Sequence, residues 1–176
     1  MRRESEGVMK LSDQASRDNH DLKCGLAVEV LRSSGTLHLR VLGWSMLPTV
    51  WPGDTLIVER LASAEVFDGD IVLFSNGRRF VAHRVVAGTR RSGVSNVQTQ
   101  GDAVPHLDSP VHGGNLLGKV SFIVRNGKRI PPRKRLRFPE RAVAAVFRRS
   151  PLAARVFVGV HGLRQTSQGP SQIQTP

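Results

Sequence analysis

The chain holds a single cysteine, Cys24, and no tyrosine. One thiol excludes an internal disulfide framework and a cysteine-rich zinc site. Aromatic residues make up 5% of the sequence, too few for a surface that stacks successive bases on rings. No segment supplies the roughly 20 predominantly apolar residues of a membrane-spanning helix. The nearest stretch, residues 141–163, is broken by Arg148, Arg149, Ser150 and Pro151. The start, Met1-Arg2-Arg3-Glu4-Ser5-Glu6, has charge with no apolar run behind it, which is not the pattern of a secretory signal peptide. The expected location is therefore cytoplasmic or peripheral to a membrane. Acidic residues are scarce at one end, where residues 125–176 contain Glu140 and no other carboxylate side chain.

The 176 residues suit one domain with tails, a domain being typically about 100–150 residues. Twenty-six Lys and Arg against 14 Asp and Glu give a net charge of +12, a value that first suggests nucleic acid. The distribution changes that view. Residues 1–35 are neutral and residues 36–124 carry +1, whereas residues 125–176 carry +11. A near-neutral body with a basic tail is expected. The tail can be solvated, or it can lie on anionic lipid with Val143, Val146, Phe147, Val156, Phe157, Val158 and Val160 at the interface. Nucleic acid is the least favoured partner, because binding without aromatic interleaving would be electrostatic alone.

Residues 1–20 are polar and of mixed charge, as in a disordered arm. Leu22–Leu31 suggests a short helix weakened by Gly25 and ended by Ser33-Ser34-Gly35. From Thr36 the period shortens to two: Leu37, Leu39 and Val41 alternate with His38 and Arg40. Further strands are predicted at Thr55–Leu61, Ile71–Phe74, Phe80–Val86, Ser95–Gln100 and Leu116–Val124, the last with Gly118 as a bulge. Ser75-Asn76-Gly77 signals a hairpin turn, and Thr89–Val94 a second turn. The fold class is mainly β: a curled, mostly antiparallel sheet or small barrel with short helical segments at both ends. Past Ile130-Pro131-Pro132 no central strand can continue, because proline lacks the ladder donor. Pro139–Phe147 and Pro151–His161 are expected as short helices, and Gln165–Pro176 as disordered. The expected divisions are an arm and helix at 1–34, a folded domain at 35–130 and a basic tail at 131–176.

Four residues carry candidate chemistry. Ser45 stands in Gly43-Trp44-Ser45-Met46-Leu47-Pro48, where a strand end meets a proline-rich turn. A hydroxyl there is exposed yet fixed by the sheet, but it needs a base to become a nucleophile. His83 lies within the strand Phe80–Val86, and an imidazole titrating near neutral pH can take a serine proton. Asp102 and Asp108 follow in Gly101–Asp108, where a carboxylate can fix a histidine's tautomer and stabilise its cation. Taken singly, each has a plainer use: a turn serine, a satisfied strand histidine, two loop or capping aspartates.

Five ordered blocks, GWSMLP with Gly53-Asp54, DGDIVLF at 68–74, HRVV at 83–86, GDAVPHLD at 101–108 and LGKV at 117–120, together resemble the S24/S26 serine peptidase superfamily. Within it the chain is most similar to the type I signal peptidases. Bacterial leader peptidases and LexA-like autoproteases carry a lysine where this chain has His83. The histidine form resembles the archaeal and endoplasmic-reticulum signal peptidases. The resemblance implies a curled antiparallel fold, Ser45 as nucleophile, His83 as general base, Asp108 orienting His83 and Asp102 supporting the site. It further implies backbone N–H stabilisation of the oxyanion and an extended substrate, Ala-x-Ala-like before the cut, paired along a strand edge. No cofactor or metal is implied, and the expected partner is a peptide or protein substrate. Two departures stand out: Leu22–Leu31, which contains Glu29, is short for the usual anchor, and Val104 replaces a frequent polar residue. The alternative is a LexA-like self-cleaving, nucleic-acid-binding regulator cut at Cys24-Gly25, with Arg133–Arg137 on phosphates.

Overall fold

The computed structural model describes residues 22, 25–61, 66–77, 79–87 and 96–149. The expected N-terminal arm, the Thr89–Val94 turn, the Pro151–His161 helix, the C-terminal end and Cys24 all lie outside them. Residues 25–34 form a helix (α1). Eight strands follow among the described residues: β1 Thr36–Arg40, β2 Thr55–Arg60, β3 Ile71–Asn76, β4 Arg79–Ala87, β5 Asn96–Gln100, β6 Val111–His112, β7 Leu116–Arg125 and β8 Lys128–Ile130. A second helix, α2, spans Phe138–Arg149. None of the described helices is long and apolar enough to cross a membrane.

The strands run β1-β2-β7-β3-β4-β5-β6, with β8 attached to β7, and each pairing is antiparallel. The mainly β architecture is as the alternating patterns predict, and the sheet is open rather than closed into a barrel. β3 explains why its sequence is a continuous apolar run. Ile71 and Leu73 enter one core with Met46, Leu56, Val58 and Val120, while Val72 and Phe74 enter another with Val66, Val85 and Val97. A strand buried on both faces has no polar side to alternate. β8 is a short edge strand that the sequence reading does not assign. It follows Asn126-Gly127, both at positive φ (50° and 74°), a geometry this pair adopts readily in two-residue hairpins.

β7 departs from regular pairing twice, opposite Ile57/Val58 and opposite Leu73/Phe74. The extra residues are Ser121 and Leu117, so the bulge expected at Gly118 falls on either side of it. Gly118 itself serves close approach. A Cβ there would lie 2.5 Å from the Glu59 carbonyl oxygen and 2.6 Å from a Val58 methyl.

From Pro131 to Arg149 the chain stays on the body. Ala144 and Phe147 of α2 are buried, and Phe147 packs with Leu47 and Ala103 beside Trp44 and Trp51. The helix therefore lies beneath the turn that carries Ser45. Gly118→Ala is expected to destabilise the protein by about 1–3 kcal/mol through overpacking against β2, measured as a lowered urea midpoint at unchanged slope.

Candidate active site

Ser45 sits in a turn between β1 and β2, anchored by the two residues that follow it. Met46 belongs to the main core, and Leu47, fully buried, belongs to the cluster under α2. Backbone bonds from Leu47 N–H to Trp44 O (3.1 Å) and from Val50 N–H to Met46 O (2.9 Å) close the turn. Its far side is tied down by Asp54, which accepts from Trp51 N–H and from the Arg125 guanidinium at 2.7 and 2.9 Å. Arg125 also donates to the Thr49 carbonyl at 3.0 Å. The serine hydroxyl thus projects from a rigid turn at the sheet surface.

β4 brings the histidine. Its side chain is 8% exposed, and its ring meets Phe74 edge-on with centroids 6.1 Å apart. Nε2 lies 2.9 Å from Ser45 Oγ, and Nδ1 lies 2.6 Å from Asp108 Oδ2. An ionised carboxylate can only accept, so Nδ1 carries the hydrogen and Nε2 is left to accept from the serine hydroxyl. Asp108 is fixed in turn by β5. Thr99 Oγ1 donates to the same carboxylate oxygen at 2.7 Å, Asp108 N–H donates to Thr99 O at 2.9 Å, and the Gln98 side-chain amide donates to the Asp108 carbonyl.

Asp102 is placed differently. Its carboxylate hydrogen-bonds go to Arg84 and Thr49, and neither the imidazole nor the serine hydroxyl is among its partners. Arg84 meets it bidentately, Nε to Oδ1 and Nη2 to Oδ2, each at 2.8 Å. The remaining Arg84 donors reach Gly69 O at 2.9 Å, Arg133 O at 2.6 Å and Thr49 Oγ1 at 3.2 Å. Next to it, Ala103 N–H donates to Ser45 O at 2.8 Å, and Arg148 Nε on α2 donates to Asp102 O at 3.0 Å. Asp102 is therefore tied to the backbone that carries Ser45 and not to its hydroxyl.

The sequence places Ser45, His83 and Asp108 as one constellation, and the structure brings these three together. Arg84, Thr99, Gln98 and Thr49 were not named as site residues. Alternation along β4 offers a signal for the first, since it turns Arg84 to the opposite face from His83, where a cation needs a buried carboxylate. Alternation along β5 likewise turns Thr99 inward with Val97. Gly101 is the remaining constraint: a Cβ there would stand 2.6 Å from Ser45 O and 3.0 Å from His83 Nε2.

A cleft of about 750 Å³ opens beside Ser45 and His83, between the end of β1 and the first half of β4. Leu39, Val41, Met46, Phe80 and Ala82 give it an apolar lining. β5 pairs with β4 only from Arg84 onward, so residues 79–83 keep a free backbone edge among the described residues. Among the described residues β1 is the terminal strand and has a second free edge.

Residues 3–97 match the family model described as Peptidase S24-like. The chain belongs to that family. The matched stretch covers Ser45, His83 and the strand edges of the cleft, and it ends before Asp102 and Asp108. This peptidase family spans both signal peptidases and LexA-like self-cleaving regulators. No curated protein matches the chain.

Removing one partner of the Arg84–Asp102 pair leaves a buried, uncompensated charge. Arg84→Ala is expected to cost about 3–5 kcal/mol of folding stability, while the double change Arg84→Met/Asp102→Leu recovers part of that loss. Urea denaturation of the three proteins reads both effects.

Proposed function

We propose that the protein is a serine endopeptidase of the signal-peptidase type, cleaving extended peptides after small residues. The observation that carries this reading is the unbroken hydrogen-bonded chain Ser45–His83–Asp108 at the mouth of an apolar cleft flanked by free strand edges. A peptide entering as an added strand would satisfy its backbone on those edges and present a carbonyl to Ser45. His83 Nε2 takes the hydroxyl proton as Oγ bonds to the carbonyl carbon, and Asp108 stabilises the imidazolium so formed. The resemblance to the signal peptidases gives the oxyanion to the backbone N–H at Ser45, which would donate to it as it develops. The imidazolium then protonates the leaving amine as the C–N bond breaks, leaving an ester on Ser45. Water, deprotonated by His83, hydrolyses that ester and restores the enzyme. The preference for small residues, of Ala-x-Ala kind, is what the signal-peptidase resemblance implies. The histidine base aligns the site with the archaeal and endoplasmic-reticulum branch.

A second reading is a LexA-like regulator that cuts itself at Cys24-Gly25. It has one observation in favour, since Ala27 of α1 borders the cleft. Against it, residues 25–34 are helical, and a helix cannot pair with a strand edge or offer an extended scissile bond. Mass spectrometry of the incubated protein decides this: a cut after Cys24 that Ser45→Ala abolishes would establish self-cleavage.

For the peptidase reading, Ser45→Ala and His83→Ala are each expected to lower the rate on an Ala-x-Ala peptide by at least about a thousandfold. Circular dichroism and melting checks that both variants are folded. Full cleavage by Ser45→Ala would overturn the assignment.

A further inference from the structure

The cleft carries charge of one sign. Among its lining residues Arg40 and Arg79 are cationic, and none is an aspartate or a glutamate. Arg40 closes β1 on one wall, and Arg79 opens β4 on the other. Both side chains are exposed, and neither forms an ion pair or a side-chain hydrogen bond among the described residues. The contrast with the other arginines at the site is plain. Arg84 and Arg125 each grip a buried aspartate bidentately, and Arg148 is committed to a carbonyl. Arg40 alternates with Leu39 and so turns away from the wall that Leu39 gives the cleft, whereas Arg79 shares a strand face with His83. The Arg79 guanidinium, without a partner among the described residues, is complementary to an anion carried by whatever pairs along that edge.

We infer that the cleft selects peptides bearing a carboxylate side chain about four residues from the scissile bond, received by Arg79. The position follows from strand geometry. Arg79 and His83 are four residues apart on β4, so their side chains share a face and lie about 13 Å apart. A peptide paired along the free 79–83 edge advances by the same rise per residue. With its reacting carbonyl beside Ser45 and His83, its residue four places along stands beside Arg79. A carboxylate there can take two parallel N–H bonds from the planar guanidinium, whereas a lysine would meet a like charge. The small residues at the cut and the acid at a distance would thus be read by different parts of one cleft.

This inference rests on the peptidase reading, and one experiment separates the two. Peptides with an Ala-x-Ala core carry Glu, Gln or Lys four residues before the cut in one series and four residues after it in another. On one flank, Glu is expected to raise kcat/KM by about three- to tenfold over Gln, with Lys below Gln. The advantage should shrink in 0.5 M salt, because the contact is partly exposed. Arg79→Glu should invert the order to favour Lys and Arg79→Gln should level it; melting temperatures check that both remain folded. Cleavage that depends on Ser45 yet is equal for Glu and Lys on both flanks would overturn the specificity while leaving the peptidase reading intact. Cleavage unaffected by Ser45→Ala would overturn the peptidase reading itself.

Discussion

The buried pair of Arg84 and Asp102 is the contact on which the arrangement of the site depends. A guanidinium and a carboxylate removed from water carry a desolvation penalty that only close, complete hydrogen bonding offsets. Here every donor group of Arg84 is used, on Asp102, Thr49, Gly69 and Arg133. Those partners come from the turn after β5, the serine turn, the loop before β3 and the segment leading to α2. One side chain thereby holds four connections around the end of β4. The Ala103-to-Ser45 backbone bond then passes that constraint to the serine. Asp54 with Arg125 repeats the device on the other side of the same turn.

Most of the sheet was legible because its strands alternate or run apolar between turn signals. β1 shows Leu37 and Leu39 inward, and β3 begins at Ile71 after Gly69-Asp70. What escaped were short elements and distant partners. β6 has two residues and β8 three, below the length at which a period of two can be recognised. The trio Ser45, His83 and Asp108 was legible because ordered motifs carry it. Thr99 and Gln98 were not, since a threonine and a glutamine in a strand have many uses. Their meaning comes only from Asp108 folding back onto β5. Asp102 shows the limit from the other side: its neighbourhood was legible, its partner was not.

The charge imbalance also takes on a different character. Part of the basic end is structural rather than a solvated tail. Arg125 braces the serine turn, Arg133 lends a carbonyl to Arg84, and Arg148 caps the Asp102 carbonyl. Phe147 fills the space beneath Leu47. The positively charged segment thus contributes to the floor of the site through residue 149, well beyond the last strand.

His83 and Arg84 are neighbours in sequence that project to opposite faces of one strand. Slipping β4 by a single residue exchanges every side chain between faces. It would put a guanidinium where the imidazole meets Ser45 and leave Asp102 buried opposite an imidazole or an aliphatic group. Such a misaligned chain forfeits the pair that closes the structure. The requirements of burial thus hold the imidazole in register with the serine.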